Sequence, residues 1–199
     1  MPYPKGHKDK VRGLIIASAA KAFRTNGVRD ISVPAVMKGA GLTHGGFYSY
    51  FKSKNQLIAE SCKVAVDETI EVLTKVADEA AGESKIDAVI DYYLSPVHRD
   101  HSEIGCIFPA ISGEMMYLSR EVREEVTVQL ERIIDFISQT ANIGKSAGNA
   151  LFGLMLGTIV LARSVSDPAL SDSLLDSGRQ HARNILLSSR GRISPDGGI

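Results

Sequence analysis

Residues 32–57 read SVPAVMKGAGLTHGGFYSYFKSKNQL, and the order of caps and breakers along this stretch decides the fold. Ser32 suits a helix N-cap, where its hydroxyl can take one of the free N–H groups of the first turn. Pro34 fits that turn, which needs no intrahelical donor, and Val36 and Met37 give the segment an apolar face. Gly39-Ala40-Gly41 then breaks it. Thr43 caps a second short helix over 43–50, and Ser53 caps a long one over about 54–80. Two short helices across a glycine-containing turn, preceded by a longer helix, make a helix-turn-helix.

Working outward, Val11, Leu14, Ile15, Ala19, Ala22 and Phe23 recur at the helical period, and Asn26-Gly27 supplies a stop, so the preceding helix covers about 7–25. Downstream the same period predicts helices over about 84–97, 104–118, 119–140, 145–165 and 168–189. No segment alternates as a strand does. The expected fold is all-α, with about nine helices: a helix-turn-helix domain over 7–53 and a helical bundle over 54–189. The ends, 1–6 and 190–199, are rich in Pro and Gly without periodicity and are expected to be flexible.

The 199 residues are 44% hydrophobic and 23% charged, an ordinary globular composition, and 23 basic residues balance 23 acidic ones. The balance hides an asymmetry: residues 1–60 hold ten Lys and Arg against three Asp and Glu, leaving the rest of the chain equally negative. Two cysteines and a charged start without an apolar run predict a cytoplasmic chain with no disulfide framework. The most apolar stretch, 147–162, falls short of the roughly 20 residues that span a membrane, so it reads as a buried helix and no membrane association is expected.

A recognition helix lays its N-terminal end in the major groove while neighbouring groups grip phosphates. Thr43, His44 and Gly45 stand at that end. Gly45 and Gly46 are costly helix residues, about 1 kcal/mol each, and their missing side chains would let the backbone come close to DNA. Tyr48, Lys52, Lys54 and Ser32 are within reach of phosphates, whereas Phe47, Tyr50 and Phe51 are expected to form the small core that lets a domain of this size fold.

The run from Arg12 to Leu57 resembles the N-terminal domain of the TetR family of bacterial transcriptional regulators. The likeness rests on Ala20-x-x-Phe23, Asn26-Gly27, Ser32-Val33, Ala40-Gly41-Leu42-Thr43, Gly46-Phe47-Tyr48-x-Tyr50-Phe51 and Ser53-Lys54-x-x-Leu57. It covers about a quarter of the chain. It implies a homodimer on near-palindromic double-stranded operator DNA, most often a repressor, released by a small effector, with the dimer interface on the last two helices. Two departures stand out: His44 occupies a base-reading position often filled otherwise, and Pro34-Ala35-Val36-Met37 is less polar than usual.

The 145–165 segment is apolar almost all round its axis, as a helix covered on both sides must be. Gly153, Leu156, Val160, Leu174, His181 and Ile185 are the candidate dimer residues. Tyr92, Tyr93, Phe108, Met115, Tyr117, Phe152 and Met155 are candidates for an apolar effector pocket. Cys106, read at the start of a helix, is the candidate sensor for an electrophilic or oxidising effector, because a helix N-terminus favours a thiolate. Its Gly105-Cys106 setting, with Glu114 eight residues on, is similar to a thiol-sensing subgroup of the family. His98, His101, Glu103 and Cys106 have only loose metal-ligand spacing, so no metal is expected. Cys106 with His98 or His101 and Asp100 could in principle form a thiol enzyme, but no nucleotide, dinucleotide or hydrolase motif occurs, so neither catalysis nor a cofactor is expected.

Overall fold

The structure, a computed structural model, describes residues 6–82 and 84–190. Among these residues there are nine α-helices and no strand: α1 His7–Asn26, α2 Val33–Gly39, α3 Lys54–Asp78, α4 Lys85–Tyr93, α5 Pro96–Asp100, α6 Phe108–Ile111, α7 Arg120–Ala141, α8 Lys145–Ser164 and α9 Pro168–Arg190. Three 3-10 segments join them, His44–Ser49, Ser102–Ile104 and Ser112–Tyr117. The flexible ends expected at 1–6 and 190–199 lie outside the described residues, apart from Gly6 and the backbone of Arg190.

Three expected helices differ. The segment read as a helix over 43–50 is a 3-10 turn, since two consecutive glycines give an α-helix little reason to form. The one over 84–97 breaks at Leu94-Ser95: Ser95 accepts a hydrogen bond from the N–H of His98 at 3.1 Å and caps α5, with Pro96 in its first turn. The one over 104–118 splits into two 3-10 segments around the four-residue α6, where Gly105, Pro109 and Gly113 interrupt any longer helix. In α1, Leu14 stands half exposed, and Ile16 and Ala20 take part in the buried face instead.

The chain divides into two compact units, residues up to Thr69 with Ser102–Leu130, and Ile70–His101 with the chain from Glu131 onward. Two of the three divisions fall inside α3 and α7, and the third lies between α5 and the 3-10 segment Ser102–Ile104. In the first unit α1 packs on α2, on α6 and on the turn at 102–104. Its core is built from Ile15, Phe23, Met37, Phe47, Phe51, Leu57, Ile58 and Phe108, all buried. In the second unit α8 packs along α9. A Cβ at Gly178 would lie 2.6 Å from Thr158 Cγ2, so the two helices meet more closely than any side chain there would allow. Arg183 of α9 ties down α4, donating to Asp87 at 3.1 Å and Asp91 at 2.6 Å.

Helix α8 has 20 residues and, by length and composition alone, is long and apolar enough to cross a membrane. It buries Leu151, Phe152, Met155, Ile159 and Ala162, as the core helix of a globular unit does.

His98 is buried, and its Nδ1–H donates to the carbonyl of Tyr93 at 2.6 Å, with the Tyr93 ring 4.5 Å away. Burial pushes its pKa down to about 4; the Tyr93 bond opposes the shift and nearby Arg163 adds to it. The folded state therefore favours neutral His98, so its contribution is complete above the unfolded pKa near 6.5 and is lost as the pH falls towards 4. Unfolding measured between pH 7 and pH 4 is expected to show a loss of up to about 3 kcal/mol from this group. His98→Asn should flatten that part of the pH profile, and an unaltered profile would contradict the assignment.

Candidate nucleic-acid interface

The surface carrying the predicted contact residues is built from local capping. Ser32 has extended backbone, φ −86° and ψ 152°, and its Oγ accepts from the N–H of Ala35 at 3.3 Å, so α2 starts where the sequence reading put it. At the other end Gly41 takes φ +72°, with its N–H bonded to Lys38 O at 3.0 Å and that of Leu42 to Met37 O at 2.9 Å. This paired closure needs a left-handed residue, which glycine supplies without strain. It turns the chain sharply into Thr43.

Thr43 stands at the cap position of the 3-10 turn, but its hydroxyl makes no capping hydrogen bond. Thr43, His44, Gly45 and Tyr48 are all exposed, Tyr48 at 75%, while Phe47 between them is fully buried. The aromatic floor beneath is continuous: Phe47 stacks on Phe51 with ring centroids 5.6 Å apart, and the Arg12 guanidinium lies 4.7 Å from the centre of the Phe51 ring. Tyr50, expected in this core, is only half buried. A Cβ on Gly45 would meet nothing within 4 Å. No packing among the described residues therefore requires glycine at that position.

Two reciprocal bonds start α3. Ser53 Oγ accepts from the N–H of Gln56 at 3.1 Å, and Gln56 Oε1 accepts from the N–H of Lys52 at 2.7 Å. They fix Lys52 at the edge of the turn with its side chain exposed. Lys54 is placed differently: its Nζ donates to the carbonyl of Arg29 at 3.3 Å, and burial lowers its pKa, with Glu114 and Asp30 opposing the shift.

The basic surplus of the N-terminal part is accordingly not one free surface. Arg12 is paired with Glu60, and buried Arg24 donates to Ala65 O at 3.0 Å and Glu68 at 2.7 Å, so both hold α1 to α3. Lys8, Lys10, Lys21, Lys38 and Lys52 are exposed.

One group that the motif reading did not assign to this surface reaches it. Glu114, from the 3-10 segment Ser112–Tyr117, accepts from the N–H groups of Val28 at 2.6 Å and Arg29 at 3.0 Å in the loop between α1 and α2. A pairing across 86 residues leaves no local pattern in one sequence.

The other candidate residues fall in several places. Cys106 is 1% exposed. The helix that follows starts at Phe108 and has four residues, so the long helix start that would favour a thiolate is absent. The other cysteine, Cys62, has its thiol pKa pushed up to about 12, mainly by burial. Phe108, Ser112, Met115, Arg123, Val126, Thr127 and Leu130 line a cavity of about 230 Å³. Tyr93, Phe152 and Met155 are buried in the second unit, where Tyr93 and Phe152 pack edge to face at 6.2 Å, and Tyr92 is half buried there. Tyr117 is 64% exposed under the guanidinium of Arg29. On α8 and α9, Gly153, Val160 and His181 are exposed and Leu156, Leu174 and Ile185 half buried. Among the described residues no group of three or more His, Cys, Asp or Glu is arranged to hold a metal ion.

Residues 15–61 match the model of the tetR family of bacterial regulatory proteins. The chain is 28% identical over 87 residues to an uncharacterized HTH-type transcriptional regulator of Bacillus subtilis, YfiR, which covers 44% of this chain and 42% of that protein. It is 23% identical over 141 residues to the fatty acid metabolism regulator protein of the same organism, covering 70% and 71%. The match thus spans less than half of the first relative. Its fold resembles that of reduced Escherichia coli NemR, with a TM-score of 0.71 at 19% identity over 88% of this chain and 96% of that one. It also resembles that of a TetR-family regulator from Agrobacterium tumefaciens, with a TM-score of 0.72 at 14% identity over 88% and 98%.

Gly45→Ala is expected to leave thermal stability unchanged or raised by up to about 1 kcal/mol while weakening DNA binding several-fold. Lys52→Ala should weaken binding at every sequence and flatten the salt dependence by about 0.9 log unit per decade. Mobility shifts across a salt series test both, and undiminished binding in the two variants would remove this face from contention.

Proposed function

We infer that this chain, whose residues 15–61 match the tetR-family model, acts as a homodimeric repressor released from operator DNA by a small effector. The observation that carries the reading is the exposed row Thr43, His44, Gly45 and Tyr48, which follows the Gly41 closure of α2 and is seated on fully buried Phe47. Such a row presents hydroxyl, imidazole and bare backbone to a groove, and exposed lysines flank it for phosphates. This work belongs to the cytoplasm, where the DNA is, and calls for no cofactor or catalytic step.

The dimer is proposed on α8 and α9. Val160 and Leu161 are 40% and 53% exposed and Leu187 69%, and a Cβ on Gly153 or Gly157 would meet nothing within 4 Å. A second copy would cover this uncovered apolar surface, and a two-fold dimer reading successive major grooves would need its two recognition turns about one DNA repeat apart, roughly 34 Å.

The effector site we favour is the 230 Å³ cavity lined by Phe108, Met115, Val126 and Leu130, with Ser112, Thr127 and Arg123 as its polar groups. It suits a small, mainly apolar molecule. Thiol switching at Cys106 is less well supported, because the thiol is buried and lacks the helix start that would activate it.

Sedimentation of the full chain is expected to give twice its 21.4 kDa mass. Leu156→Glu should give a monomer whose shift of the DNA beside its own gene is greatly weakened. Cys106→Ser should bind and release as the wild type does, and release lost only in that variant would restore the thiol reading. A wild-type monomer, or no specific shift at low salt, would sink the proposed function.

A further inference from the structure

The loop between α1 and α2 makes few bonds of its own. Gly27 closes α1 with its N–H on Phe23 O at 3.0 Å, and then leaves it at φ +73° and ψ −173°. The next two N–H groups point away from any helix and find a single acceptor, Oε2 of Glu114, at 2.6 and 3.0 Å. Gly27 is shaped to this arrangement: a Cβ there would run into the Glu114 carboxylate, with Cδ at 2.8 Å. Arg29 is held on both sides. Its guanidinium lies 4.8 Å from the centre of the Tyr117 ring, and its carbonyl accepts from Lys54.

We propose that Glu114 is a positioning residue for DNA binding, a catch outside the helix-turn-helix that fixes the α1–α2 loop and so the setting of α2 and the turn 44–49. The inference rests on the DNA-binding reading above. Physically, one carboxylate neutralises two adjacent donors that would otherwise be left to water, and bonds to a charged acceptor are about twice as strong as neutral ones. The loop it fixes leads directly into Ser32, the cap of α2, and α2 leads through Gly41 into the exposed row. Ser112 and Met115, on the same 3-10 segment as Glu114, line the 230 Å³ cavity. An occupant of that cavity therefore bears on the segment that holds the loop.

The test uses the full chain and two readouts, amide hydrogen exchange and mobility shift on the DNA beside its own gene. In Glu114→Ala each of the amides of Val28 and Arg29 loses one charged hydrogen bond and should exchange about tenfold faster while those of α9 keep their protection, and DNA affinity should fall about tenfold as the loop is released. The salt slope should not change, because no phosphate contact is removed. Glu114→Gln, which keeps length and an acceptor oxygen, should recover most of the affinity. Glu114→Asp, which keeps the charge but not the reach, should not; it also serves if the alanine variant fails to fold.

Unchanged exchange at Val28 and Arg29, or faster exchange with wild-type affinity, would overturn the proposal. So would affinity lost together with protection throughout the molecule, since that would be ordinary destabilisation. If the wild type itself shifts no DNA, both readings fall; if it does and the Glu114 variants bind equally well, this one falls alone.

Discussion

Phe47 and Phe51 must leave water before the turn at 44–49 can have a shape. A six-residue 3-10 segment with two glycines cannot hold itself by backbone bonding. Burying each ring is worth about 1.5–3 kcal/mol, and the two rings stack on one another beneath the turn. Everything exposed on the outer side, Thr43, His44, Gly45 and Tyr48, is placed by that anchorage. Arg12 then covers Phe51 and pairs with Glu60, which ties the aromatic floor to α1 and α3 together.

The parts of this arrangement that follow local rules were legible in the residues. A hydroxyl before an apolar turn, a proline in the first turn and a glycine after the last one mark α2 at both ends, and Ser53 marks the start of α3. These signals act within four or five residues, so one chain displays them. The broad all-α character was equally plain, because the helical period persists along most of the length.

What the residues did not display depends on partners far along the chain or on competition between weak signals. The stretch 84–118 has enough apolar periodicity for two helices, yet Ser95-Pro96, Gly105, Pro109 and Gly113 cut it into short pieces, and the consequence for Cys106 follows from that. Leu14 shares the spacing of buried neighbours but faces outward, since period alone does not settle how wide the covered stripe is. Tyr50 keeps its edge in water while Phe47 and Phe51 do not. Glu114 is the clearest case, its two donors lying 85 and 86 residues away. Of the candidate site, the capped start of α2 and the exposed row could be read, while the 3-10 form of the turn, its uncapped Thr43 and the device that holds the preceding loop could not.

The distribution of guanidinium groups carries one more implication. In the part of the first unit up to Thr69, Arg12 and Arg24 are held by carboxylates and Arg29, itself exposed, lies over the Tyr117 ring, while the exposed lysines include Lys8, Lys10, Lys21, Lys38 and Lys52. An ammonium is a point charge, without the two-pronged geometry with which arginine grasps O6 and N7 of guanine. On the DNA-binding function proposed above, a surface furnished this way would grip any duplex through its charge and discriminate through a hydroxyl, an imidazole and close backbone contact. The proposed binding would then weigh thymine methyl groups and local groove width more heavily than runs of guanine.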